Sequence, residues 1–137
     1  MAGYSGRPLV EKLGVKPGAR LALICAPAGF DLGPLPAGVR VFGRVQPPLD
    51  VAVVFVTARA DLERRWAPLT AALGPAGALW VAWPKQAAIR AQGITSDMTE
   101  HVVRDVALPS GWVDIKVCAI DDTWSGLKCV LRVQLRS

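Results

Sequence analysis

The run Ala78-Leu79-Trp80-Val81-Ala82-Trp83 constrains this chain more than any other stretch. It carries no charge, follows the turn residues Gly74-Pro75-Ala76-Gly77, and stops at Pro84-Lys85. So short an apolar run between turn signals predicts a strand buried on both faces. Strands of that kind lie in the middle of a parallel sheet with helices above and below. Every other element can then be placed by asking which side of this strand it covers.

Pro8–Leu13 reads as a short helix, with Pro8 in its first turn and Gly14 as its C-cap. Apolar strands are predicted at Arg20–Cys25, Val39–Val45 and Asp50–Val56. Between the first two, Gly33, Pro34, Pro36 and Gly38 leave room for one helical turn at most. After Thr57, a potential cap, Leu62, Trp66, Leu69 and Leu73 form one helical stripe, and Pro68 is expected to kink or split that helix. Gln86–Ile94 shows no periodicity and reads as a mobile loop. Asp97-Met98-Thr99-Glu100 is close to a capping box and opens a helix whose inner face is Met98, Val102, Val103 and Val106.

Two alternating strands close the chain, Val113–Asp121 and Leu127–Leu135, each with its odd positions inward. Asp122–Ser125 is too short for a helical crossover, so they form a hairpin. Facing odd positions to odd positions puts Ala119 near Cys129 and leaves Cys118 on the other side, which argues against a Cys118–Cys129 disulfide, although a symmetric four-residue loop would place the two opposite each other. The fold class is therefore α/β: a three-layer Rossmann-like domain with a mostly parallel six-stranded sheet, order 2-1-3-4-6-5, ending in an antiparallel hairpin. A length of 137 residues fits a single domain, 1–137.

Sixteen basic and eleven acidic residues give a formal charge of +5, compatible with an anionic partner. No run of three or more basic residues occurs, which argues against a nucleic-acid surface. No apolar run reaches the ~18 residues of a membrane span, and Met1–Gly6 lacks the apolar core of a secretion leader. The three cysteines, Cys25, Cys118 and Cys129, lie in apolar runs with no close spacing. They read as buried free thiols in a reducing cytoplasm. His101 is the only histidine, so spacing assembles no metal site.

In an open α/β sheet, ligands bind outside the strand carboxyl ends where the strand order reverses, here between the first and third strands. That makes Ala26, Pro27, Gly29, Phe30, Thr57 and Arg59 the candidate lips. Lys85 and Trp83 lie one strand along, and Thr123 and Trp124 lie in the closing hairpin. Arg59 and Lys85 are the charges available for an anionic ligand, and Trp83 and Trp124 the surfaces for stacking. Competing with these roles are plain ones: a solvated lysine, core aromatics, and turn-forming hydroxyls at Thr123 and Ser125 with Gly126 at positive φ.

Lys16-Pro17-Gly18-Ala19-Arg20-Leu21 resembles the approach to the first strand of class I methyltransferases. Gly77-Ala78-Leu79-Trp80-Val81 is similar to a later strand of that family, and the terminal hairpin fits its antiparallel end. Those enzymes place a glycine-rich loop after the first strand and an acidic residue after the second. This chain has Cys25-Ala26-Pro27-Ala28-Gly29-Phe30 and Val45-Gln46-Pro47 there, so the expectation is no cofactor, with S-adenosylmethionine disfavoured. A closer resemblance is to a bacterial family of small proteins classed as a domain of unknown function. It is carried by Ser5-Gly6-x-Pro8-Leu9, Lys12–Gly18, Ala78–Val81 with Trp83-Pro84-Lys85, and Thr123–Lys128. It implies a degenerate nucleotide-binding-like α/β fold.

The favoured reading is a non-catalytic methyltransferase-like module that binds a protein or a small, anionic ligand. A small enzyme working on an anionic substrate in the crevice is the alternative. A nucleic-acid binder, resting on the +5 charge and five tryptophans, is the third reading. The two sheet edges also allow pairing between two copies of the chain.

Overall fold

The computed structural model describes residues 7–136. The Met1–Gly6 segment, including the Ser5-Gly6 start of the first motif, lies outside the described residues. The strands are β1 (Arg20–Ile24), β2 (Arg40–Phe42), β3 (Leu49–Phe55), β4 (Leu73–Pro84), β5 (Trp112–Ala119) and β6 (Trp124–Leu131). They form one six-stranded sheet in the order β2-β1-β3-β4-β6-β5. The pairings β1–β2, β1–β3 and β3–β4 are parallel; β4–β6 and β5–β6 are antiparallel. The expected topology is the one found.

Strand β4 lies between β3 and β6, and Gly77 through Pro84 are all buried. Alternate residues go to opposite layers. Leu79, Val81 and Trp83 join the layer under α2 (Arg59–Ala72) and α4 (Glu100–Ala107), with Leu62, Trp66 and Val103. Trp80 and Ala82 join the other layer, with Leu13 of α1 (Leu9–Leu13), Val53 and Phe55. Trp80 is fully buried, and its indole Nε1–H donates to the Leu13 carbonyl at 3.1 Å. The aromatic ring thus keeps a polar partner where water is excluded. Among the described residues, no long helix covers this second layer. Phe30, Leu32 and Val39 of the β1–β2 connection pack over it instead.

Several expectations change in detail. Helix α2 runs unbroken through Pro68, which is exposed on its outer side. Gln86–Gln92 is a helix, α3, closed by Gly93 in the left-handed conformation, and not a loop. Only Ala88 of it is buried, so it carries no stripe to read. Strand β2 shrinks to three residues.

The hairpin departs most. Ala119 pairs with Ser125 and Cys129 with Asp114, because the connection is tighter than expected. A β-bulge between Asp114 and Lys116 then reverses the facing of β5. Trp112 goes inward under α4, while Cys118 packs in the opposite layer. Ile115 and Val117, expected inward, are exposed at 57% and 53%. All three cysteines are free, and Cys118 and Cys129 sit on opposite faces. Among the described residues, no helix is long and apolar enough to cross a membrane.

Two outcomes follow from this burial. Trp80→Phe keeps most of the ring but leaves the Leu13 carbonyl without its donor; urea unfolding should show a loss of about 2 kcal/mol. A loss below about 0.5 kcal/mol would contradict the buried hydrogen bond. Burial also pushes the Cys129 thiol up to about 12, whereas Cys25 is exposed. A thiol reagent at mildly alkaline pH should label Cys25 and leave Cys129 unreacted until denaturant is added.

Candidate functional site

The carboxyl ends of β1 and β3 diverge at the reversal of strand order, and the candidate lips stand there. Directly after β1 comes Cys25, a non-glycine residue at φ 60°. The chain then turns through Pro27–Phe30, where the Phe30 N–H donates to the Pro27 carbonyl at 3.1 Å. Gly29 takes φ 79°, and nothing lies within 4 Å of where a Cβ would stand. One glycine is therefore enough to leave the backbone of this loop open on that side.

Phe30 folds back onto Phe55, the last residue of β3, with ring centroids 5.0 Å apart at 67°. Phe55 in turn meets Trp124 at 5.2 Å and 87°. These edge-to-face contacts make a row of three aromatic rings from the first lip to the hairpin. Phe55 is buried, while Phe30 and Trp124 are half-exposed. The sequence did not single out Phe55, although its place at the end of an apolar strand beside the reversal was the available signal.

Trp83 is not part of this row. It is buried in the layer beneath α2 and α4, on the opposite face of the sheet. Arg59 is also turned away. Its guanidinium bonds Glu63 at 3.1 Å and reaches Asp105 at 3.5 Å on the α2–α4 side. The Glu63 hydrogen bond is the main cause holding it above its ordinary pKa. The anionic-substrate reading thereby loses one of its two charges.

The lip Thr57–Arg59 is fixed by a residue assigned elsewhere by the sequence. The Asp97 carboxylate accepts the Arg59 N–H at 2.7 Å, and the Asp97 N–H donates to the Thr57 carbonyl at 3.2 Å. Asp97 thus caps α2, and Thr99 caps α4 by accepting the Val102 N–H at 3.2 Å. A cap supplied from 38 residues away leaves no local signature.

Lys85 and Thr123 do come together. The Lys85 N–H donates to the Thr123 carbonyl at 2.8 Å, and Gln92 of α3 reaches the Thr123 hydroxyl at 3.3 Å. The Asp121 carboxylate accepts the N–H groups of Thr123 and Trp124, both at 2.8 Å, which builds the turn. Gly126 lies within β6 and is not among the positive-φ glycines. Its missing side chain makes room instead: a Cβ there would stand 2.7 Å from Ile120 and 3.2 Å from Trp80. His101 is exposed beside Asp105. Among the described residues, no three potential metal-ligating side chains gather.

No family model matches the chain, and no curated protein matches it. Solved structures do. A possible exported protein from Bordetella parapertussis aligns with TM-score 0.61 and 11% identity over 90% of this chain and 65% of its own. A ribosomal protein L11 methylase from Lactobacillus delbrueckii subsp. bulgaricus gives 0.55 and 11% over 90% and 75%. DhpI, solved as a complex with SAH, gives 0.60 and 10% over 92% and 83%. At this identity the likeness is one of fold: the chain has a Rossmann-like, methyltransferase-like architecture.

The expectation of no cofactor is overturned by that likeness, because proteins of this fold are solved with SAH bound. The argument against S-adenosylmethionine rested on a loop with one glycine and on Val45-Gln46-Pro47 in place of an acidic residue; the loop is open at Gly29.

Removing the Asp97 carboxylate should loosen the second lip. Asp97→Ala is expected to cost about 1 kcal/mol in thermal or urea unfolding, as for other lost caps. An unchanged stability would show that the cap does not hold α2.

Proposed function

We propose that the chain is a methyltransferase-like binding module whose ligand lies at the carboxyl edge of β1 and β3. One observation carries the reading: the row Phe30, Phe55 and Trp124 borders an open loop at the reversal of strand order. Half-exposed rings in that position offer a face to a nucleobase or a similar flat group. S-adenosylmethionine and its demethylated product are the first ligands to test, on the strength of the shared fold.

Binding without turnover is the part of the proposal supported by the polar groups. Arg59 is engaged by Glu63 and Asp105, and Asp97 and Asp121 hold backbone N–H groups. These residues have structural work to do and are not aimed at a reacting atom. The module is read as one unit, 1–137, and its three free thiols suit a reducing cytoplasm.

Calorimetry with S-adenosylhomocysteine tests the proposal. We expect saturable binding that Phe30→Ala or Trp124→Ala weakens about tenfold, the scale of one lost aromatic stacking contact. Equal binding by the wild type and both variants would place the ligand elsewhere. Methyl transfer from S-adenosylmethionine to an added acceptor would overturn the non-catalytic part.

A further inference from the structure

At the opposite edge of the sheet lies a second concavity that the reading above leaves unused. It has a volume of about 450 Å³. Three motif stretches meet there although they are far apart in sequence. The turn between α1 and β1 supplies Gly14, Lys16 and Gly18; β4 supplies Ala78; β6 supplies Lys128. Leu13, Val51 and Ala78 give it an apolar floor.

The charges around it are unusual. Lys128 is paired across the strands with Lys116 of β5. Like charges directly opposite one another in a sheet repel. Lys16 approaches from the α1–β1 turn and also bears on Lys128. Among the described residues, none of Lys16, Lys116 and Lys128 forms a hydrogen bond or an ion pair. The one acidic side chain lining the cavity is Asp50, and it already accepts the Arg20 N–H at 2.8 Å.

A structural role accounts for one lysine only. The Lys128 Nζ stands 3.6 Å from the Cβ position of Gly14, beside the carboxyl end of α1, where the helix dipole favours a cation. Nothing comparable holds Lys16 or Lys116. Two lysines lining an apolar-floored cavity, with Lys116 paired across the strand from one of them, make a receptor for a multivalent anion.

We infer that this amino-edge cavity binds a small ligand bearing a pyrophosphate group, held by Lys16 and Lys128 with Lys116 adding to the field. The cavity is larger than a single phosphate requires, and its floor can accept an apolar or organic portion of the ligand. Lysines serve phosphates as movable point charges, so fixed bidentate geometry is not needed. Burial, and after it the neighbouring lysines, lowers the pKa of Lys128, and an anion beside it would act in the opposite direction.

Inorganic pyrophosphate is the probe, titrated calorimetrically against the full chain at two salt concentrations. We expect saturable one-to-one binding that weakens as salt rises. Lys128→Met, which keeps the apolar stem, should weaken it about tenfold, the scale of one lost charge-assisted hydrogen bond. Lys16→Gln, at an exposed position, should do the same and does not depend on Lys128 packing. Phe30→Ala should leave pyrophosphate affinity unchanged, which separates this site from the carboxyl-edge crevice. Absence of saturation at millimolar pyrophosphate overturns the inference. So does binding that both lysine variants retain, or a preference for duplex nucleic acid over pyrophosphate that the same variants abolish.

Discussion

The hydrogen bond from the Trp80 indole to the Leu13 carbonyl ties the two ends of the architecture together. Trp80 stands in the dry centre of the sheet, and Leu13 is the last residue of the short helix α1. A ring of that size cannot be buried on a polar N–H without a partner. Its acceptor comes from the carboxyl end of α1, so burying the strand also fixes the helix. That fixes in turn the Gly14–Gly18 segment, which leads into β1. The position of β1 then sets the reversal of strand order on which the candidate crevice depends.

Central burial of β4 divides the molecule into two unlike layers. Beneath α2 and α4 the packing is that of a covered parallel sheet, with Trp66 and Trp112 in edge contact at 6.3 Å. Above the sheet, α1 and the irregular Pro27–Val39 connection do the work of a helix. Loop backbone is easier to open than helix. The thin layer is also the one that carries the aromatic row and the lysine-bordered cavity. Both candidate ligand regions therefore lie on the side where the sheet is least completely covered, one at each end of the strands.

What the sequence made legible follows the same physics. A strand dry on both faces must be apolar throughout, so β4 could be read directly, and its neighbours and the strand order came with it. Facing in β5 could not be read, because alternation assumes an unbroken period and the bulge at Ile115 shifts it by one residue. Helix α3 was missed because seven residues with one buried position show no stripe. Of the candidate crevice residues, Phe30 and Trp124 meet through Phe55. Side-chain direction was invisible: Arg59 turns to Glu63 and Asp105, and Trp83 points to the other face. Non-local partnerships such as Asp97 with Arg59, or Lys16 with Lys128, arise only when the chain is folded.

Amide hydrogen exchange resolved along the chain tests the organising role of β4 most directly. The amides of Leu79–Ala82 should exchange slowest, at rates set by global unfolding, with the β2 and β5 edges exchanging far sooner. Exchange of β4 amides as fast as those of the edge strands would contradict a dry central strand, and the two layers built on it.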